Sequence, residues 1–157
     1  MKRLCIYYSR SGITKDIMNK IAERTGAEIV SITDGKSRKG PFGFLGAIKD
    51  SAGKDLPAVK EPITMYPLSE YDEVILGAPI WAESWCLVMR GFLRDHGMSL
   101  PENVSFVFTH MSEKRYEECA AEADEFLMRP HKNLLSVCTK KDSYVEIERF
   151  INTIINE

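Results

Sequence analysis

The sequence has no run of 18 apolar residues and no basic N-terminal stretch leading into an apolar core, so it offers neither a membrane-spanning helix nor a secretory leader. A soluble chain without membrane insertion is the expectation. Charge of one sign is also missing. Lys plus Arg (21) nearly balance Asp plus Glu (23), a formal net charge of −2, so charge argues for no nucleic acid and no anionic membrane as partner. The four cysteines, Cys5, Cys86, Cys119 and Cys138, form no C-x-x-C pair, and together with the three histidines they show no metal spacing. Thiols that act as small buried hydrophobes in a reduced cytoplasm follow, with no metal. The chain lacks any internal repeat or linker, and 157 residues with 44% hydrophobic content suit one domain over residues 1–157.

What is present is organised around Leu4-Cys5-Ile6-Tyr7-Tyr8-Ser9-Arg10-Ser11-Gly12-Ile13-Thr14. An apolar strand ends there in a hydroxyl-rich turn that opens into a helix. Ser9, Ser11 and Thr14 supply three hydroxyls, Gly12 lets the backbone bend closely, and a helix N-terminus presents unpaired amides and partial positive charge. Such a turn can cradle a phosphate. It contains neither G-x-x-x-x-G-K-[ST] nor G-x-G-x-x-G, so a monophosphate suits this turn better than a triphosphate or a dinucleotide pyrophosphate. An ordinary capped helix with spare hydroxyls is the plain alternative.

Strand and helix patterns alternate along the rest. The first strand covers about Arg3 to Tyr8, and a helix with the stripe Ile13, Ile17, Ile21 ends at Gly26. Glu28 to Thr33, Glu73 to Ala78, Val104 to Thr109 and Leu134 to Cys138 read as four further strands, short and apolar. Helices are expected over Trp85 to His96, Glu113 to Leu127 and Ser143 to Asn156, the last with Tyr144, Ile147, Ile151 and Ile154 as its stripe. This alternation implies an α/β doubly wound fold with a five-stranded parallel sheet covered on both faces. Ligands then bind where the first, third and fourth strands end. Asp34 to Tyr71 is long for one crossover; it begins with the basic, glycine-rich Gly35 to Gly40, read as a mobile loop. A short helix follows, with Phe42, Leu45, Ile48 and Lys49 at helical spacing and Phe44 on the flank.

These residues resemble the flavodoxin family, in its short single-domain FMN-binding members, over nearly the whole chain. Ser9-Arg10-Ser11-Gly12-Ile13-Thr14 is similar to that family's [ST]-x-[ST]-G-x-[ST] phosphate loop. Tyr71-Asp72-Glu73-Val74-Ile75-Leu76-Gly77-Ala78-Pro79-Ile80-Trp81 resembles its third strand and the start of its flavin loop, and Gly40 to Ile48 is similar to a glycine-and-aromatic segment of short relatives. The resemblance implies a flavodoxin-like sandwich with strand order 2-1-3-4-5 and FMN as cofactor. It implies phosphate contacts at Ser9, Arg10, Ser11, Gly12, Ile13 and Thr14. Ring contacts are implied at Pro79, Ile80, Trp81, Ala82 and Glu83, and on the opposite face at Thr109, His110, Met111 and Ser112. The chain departs from that family in its near-neutral charge, in carrying Ala82-Glu83 where a glycine is common, and in Thr109 to Ser112.

With FMN bound, Trp81 would stack on the ring, and Glu83 beside it would oppose negative charge on reduction and lower the potential. Trp81 as core and Glu83 as a solvated acid are the plain alternatives. His110 could contact the ring or a hydride acceptor, or serve as a loop residue, while Met111 and Tyr116 could shield the ring; Cys86 reads as a buried inert thiol. Three functions stay open: an electron carrier between partner proteins, an FMN-dependent NAD(P)H:quinone-type reductase using a small-molecule acceptor, and a cofactor-free binding protein. A signalling receiver domain is set aside, because Tyr7-Tyr8-Ser9 stands where its Mg²⁺-binding carboxylates would be needed.

Overall fold

Strand β1 (Arg3–Tyr7) is apolar throughout its centre because both faces of the sheet are covered. Successive side chains point to opposite faces, so Leu4 and Ile6 enter one core and Cys5 the other. The computed structural model describes residues 1–51, 55–60 and 62–157. Helix α1 (Ile13–Thr25) and α5 (Tyr144–Asn156) cover the Cys5 face, where Met18, Ile21, Phe150 and Ile151 pack against Ile75 and Val107. Helices α3 (Leu87–His96) and α4 (Glu117–Leu127) cover the other, around Phe92, Phe106 and Trp85. Helix α2 (Gly40–Ser51) lies within the crossover to the third strand, of which residues 52–54 and 61 are outside the described residues.

The sheet runs β2 (Glu28–Ser31), β1, β3 (Glu73–Trp81), β5 (Asn103–His110), β6 (Leu134–Cys138), with all neighbours parallel. Those five strands take the expected order 2-1-3-4-5. A two-residue strand β4 (Ser84–Trp85) is added; it pairs antiparallel with the end of β3, so β3 runs three residues beyond its expected end.

Several sequence expectations shift. Trp85 belongs to β4 and not to α3, and its indole N–H donates to the Ala78 carbonyl at 3.1 Å. Helix α4 starts four residues later than expected, because Tyr116 adopts a left-handed conformation immediately before it. On α1, Ile13 is 48% exposed, and the buried face is Thr14, Met18, Ile21, Ala22 and Thr25. On α5, Tyr144 is exposed and Phe150 takes a core place.

The largest change concerns α2, whose apolar stripe faces outward: Phe42 is 88% and Leu45 63% exposed. Its inner face carries Gly43, Phe44 and Ala47. Gly43 is needed there, since a Cβ would lie 2.2 Å from the Arg38 carbonyl carbon. The loop before α2 is pinned by a charge pair. Arg38, 4% exposed, makes a bidentate contact with Asp34 at 2.7 and 2.8 Å and reaches Asp50 on α2 at 3.2 Å. Burial pushes the Asp34 carboxyl up, but hydrogen bonds from Arg38 and the Lys36 amide outweigh it and hold the group below its ordinary range. Segment 35–40, expected to be mobile, therefore carries Arg38, one partner of a buried ion pair with Asp34.

A second buried pair sits at the far edge of the sheet. Glu73 at the start of β3 is fully buried and accepts from Arg3 Nε at 2.8 Å, while Arg3 also donates to the Ile154 carbonyl at 2.8 Å. Removing one partner of such a pair leaves an uncompensated charge, at a cost of about 3–5 kcal/mol. Arg3→Leu should therefore lose about 3 kcal/mol in urea unfolding, and Arg3→Leu with Glu73→Leu should recover most of that loss. Equal instability of the single and double variants would refute this account.

Candidate cofactor-binding site

Parallel register brings the strand exits to one edge. Tyr7 pairs with Gly77 and Gly77 with Val107, so the turn after β1, the end of β3 at Pro79 and the end of β5 at Thr109 lie side by side. In the turn, Gly12 has φ +104°, a left-handed conformation that glycine takes without steric cost, and it precedes α1 without a side-chain cap. The Gly12 amide donates to Ser9 Oγ at 3.0 Å, and the Asp16 amide makes the first helical bond, to the Gly12 carbonyl. Among the described residues the amides of Arg10, Ser11, Ile13, Thr14 and Lys15 find no acceptor. Unpaired donors at a helix N-terminus are the chemistry that holds an anion.

The three hydroxyls are not equivalent. Ser9 caps Gly12, and Thr14 is buried with its hydroxyl 2.8 Å from that of Thr109. This Thr14–Thr109 contact ties the start of α1 to the end of β5. Ser11 remains exposed and without a protein partner among the described residues.

Beside the turn lies an open cleft of about 130 Å³, lined by Arg10, Ser11, Ile13, Thr14, Pro79, Ile80, Trp81, Thr109, His110 and Met111. Phe44 and Thr139 complete it. Ten of the sequence-predicted residues thus meet in one place. Trp81 is 6% exposed, with its ring edge-on to Tyr8 at 5.5 Å and the Arg38 guanidinium 5.9 Å from its centre. Arg10 lies over the Phe44 ring at 5.2 Å, so Phe44 on α2 joins the site through the basic side chain of the turn. Phe44 was visible in the sequence only as one aromatic of a glycine-rich segment; Thr139 gave no signal.

Ala82 and Glu83 do not line the cleft. They form a two-residue hairpin loop between β3 and β4, and both have positive φ, 48° and 62°. This matches the type I′ pattern, which Asn-Gly fills with little strain and which costs Ala or Glu about 1 kcal/mol each. The Glu83 side chain is exposed and paired with Lys114, which holds its carboxyl below the ordinary range, and Tyr116 donates to it at 3.3 Å. Its charge is shared with a lysine and not turned unpaired towards the cleft.

His110 ends β5 and is 7% exposed. Its Nδ1–H donates to the Ser112 carbonyl at 2.8 Å, which leaves Nε2 to accept from Ser136 Oγ at 2.7 Å. Both ring nitrogens are occupied, and the Tyr116 ring covers it at 4.8 Å. Burial lowers the His110 pKa from its ordinary 6.5. Ser112 accepts from the Lys114 amide at 3.1 Å and stands outside the cleft, whereas Met111 is 57% exposed at its mouth. Tyr116 is 4% exposed and packs in the core behind His110. Cys86 is fully buried and its thiol is pushed up to about 12 by burial, which leaves it unreactive.

Two measurements follow. Replacing Ala82 by Asn and Glu83 by Gly should raise stability in urea by about 1 kcal/mol, since the gain in the loop exceeds the loss of an exposed ion pair. Unchanged or lower stability would remove strain as the description of this loop. His110 is depressed in the fold, so the unfolded chain binds the extra proton. Stability should therefore be full above about pH 7 and fall as pH drops through 6.5 towards 5. His110→Asn should flatten that slope, and a slope identical in the variant would assign it elsewhere.

No protein-family profile and no curated protein matches the chain. Solved structures do. A flavoprotein from Lactobacillus acidophilus in complex with FMN is 19% identical over 85% of this chain and 91% of its own, with TM-score 0.68. A flavodoxin from the domain Archaea is 14% identical, covering 99% and 95%, with TM-score 0.62. An apo NADH:FMN oxidoreductase is 14% identical, covering 99% and 87%, with TM-score 0.56. At these identities the likeness is one of architecture, and the fold of this chain is flavodoxin-like.

Proposed function

We propose that the chain binds FMN and acts as a redox protein that carries electrons between partners. The observation that supports this most is the row of acceptor-free amides at the start of α1, set beside an apolar cleft floored by Trp81. A flavin mononucleotide needs those two features together: donors for a dianionic phosphate and an apolar slot for a flat ring. The Lactobacillus flavoprotein, whose FMN complex shares this architecture, is in keeping with the reading.

When bound, FMN supplies one- and two-electron chemistry in its ring system. The protein's own part is to hold and orient it. Ser11 and the amides of Arg10, Ser11, Ile13, Thr14 and Lys15 would receive the phosphate, with Arg10 adding a cation. Trp81 would stack against the ring, contributing on the order of 1 kcal/mol beyond burial. His110, tethered at both nitrogens, would wall the cleft with neither nitrogen free to exchange a proton with a bound ring. A cleft of 130 Å³ encloses only part of a tricyclic ring, which leaves an edge in solvent for electron exchange. The second reading, an FMN-dependent NAD(P)H:quinone-type reductase, is favoured by the apolar mouth at Met111, which could admit a flat acceptor.

The protein incubated with FMN and freed of excess should be yellow, with flavin absorbance at one equivalent. Ser11→Ala and Trp81→Ala should each weaken FMN binding by about tenfold. A colourless protein would overturn the proposal in favour of a cofactor-free binding role. Rapid NADH or NADPH oxidation with a quinone would replace the carrier by the reductase.

A further inference from the structure

Helix α2 leaves one face without a partner in the fold. At roughly 3.6 residues per turn, Pro41, Phe42, Leu45, Ile48 and Lys49 fall within about 120° of its circumference, and all five are exposed. Three large apolar side chains thus stand together in solvent on one short helix. A contiguous apolar patch rimmed by charge marks an interaction surface, whereas single exposed side chains need no such account. The stripe is continuous with the cleft. Ile48 follows Phe44 by one turn, and Phe44 lines the cleft with Arg10 over its ring.

The rim of that stripe is basic. Residues 34–50 carry Lys36, Arg38, Lys39 and Lys49 against Asp34 and Asp50, a positive excess in a chain whose formal net charge is −2. Arg38 is buried with Asp34, and Lys36 stands 4.0 Å from Asp50. Lys39 before the helix and Lys49 in its last turn are exposed and have no acidic partner among the described residues. Their charge is left for a group outside the fold. It also opposes self-association, because a second copy packed antiparallel along this face would set Lys49 of each towards Lys39 of the other, and like charges brought together disfavour a complex.

We propose that the outer face of α2 docks an acidic redox protein, whose apolar centre meets Phe42, Leu45 and Ile48 and whose carboxylates meet Lys39 and Lys49. The inference rests on the carrier reading and deepens it, since Phe44 joins this helix to the cleft in which the flavin ring would lie. Charge at the rim steers the encounter, and apolar burial at the centre holds the complex. Transfer within it moves one electron from the partner's reduced centre to the flavin and needs no further reactant.

The test uses an acidic [2Fe–2S] ferredoxin as the probe and basic cytochrome c as the control of opposite charge. Calorimetric titration of the FMN-loaded protein with ferredoxin should show a one-to-one complex whose affinity falls about tenfold between about 20 and about 300 mM salt. Phe42→Ser with Leu45→Ser should weaken that complex about tenfold, and Lys49→Glu about fivefold, each slowing the second-order reduction of bound flavin by reduced ferredoxin to the same extent. FMN affinity should stay within about twofold in both variants, because none of the three residues lines the cleft. Absence of ferredoxin binding, binding indifferent to these substitutions, or tighter binding of cytochrome c than of ferredoxin would overturn the proposal. So would a dimer, or sedimentation with phosphatidylglycerol vesicles, that is lost in the Phe42→Ser, Leu45→Ser variant, since the face would then belong to a second copy or to a lipid surface. Should the protein take up no FMN, the carrier reading fails by itself. Ferredoxin titration of the colourless protein, judged by its dependence on Phe42, Leu45 and Lys49, still decides the docking face.

Discussion

Everything at the functional edge depends on the parallel pairing of β1, β3 and β5. Parallel strands release their chain ends on the same side of the sheet, and the register Tyr7–Gly77–Val107 sets those ends level. The turn before α1, the β3–β4 hairpin and the His110 loop are far apart in sequence and become neighbours only through this pairing. One hydroxyl contact, Thr14 to Thr109, then fastens the start of α1 to the end of β5. The turn before α1 and the apolar cleft are brought together by the same geometric constraint.

Arg38 organises the opposite flank. By pairing with Asp34 and Asp50 it holds the chain after β2 against α2, and the close approach of Gly43 turns the face carrying Gly43, Phe44 and Ala47 inward. The apolar stripe of Phe42 and Leu45 is left outside as a consequence. Phe44, on the inner face, reaches the cleft. A buried ion pair is a costly device for stability alone, and here it sets the orientation of a helix.

The parallel architecture and the turn before α1 were legible in the sequence, because apolar runs such as Leu4 to Tyr7 and Val74 to Leu76 are what a doubly covered sheet requires, and the strand order came with the resemblance to the flavodoxin family. Gly26 ended α1 where expected, in a left-handed conformation. What was not legible required pairing across the chain. Trp85 reads as helical by spacing, but its strand pairing with Ile80 and its bond to Ala78 decide otherwise. Helix α2 reads from Phe42, Leu45, Ile48 and Lys49 at helical spacing, which does not say which face packs inward; the close approach of Gly43 to Arg38 leaves Phe42 and Leu45 outside. Glu83 reads as a bare carboxylate beside a ring, and Lys114, 31 residues on, takes up its charge.

That last pairing bears on how the cleft could be tuned. Because the Ala82–Glu83 loop carries two residues in left-handed conformations without a glycine, its backbone is held by its surroundings: the β4 pairing on one side, Cys119 Sγ donating to the Glu83 carbonyl at 3.2 Å on the other. A glycine there would relax the loop and let the carbonyls rotate. With Ala and Glu, the direction of the backbone at the edge of the cleft is set by strain and by contacts from α4, and so is coupled to the helix that Tyr116, behind His110, immediately precedes. The two walls of the cleft, β3–β4 and the His110 loop, are in this way braced by the same element. Any ring held between them would meet a backbone whose hydrogen-bonding direction is decided outside the cleft.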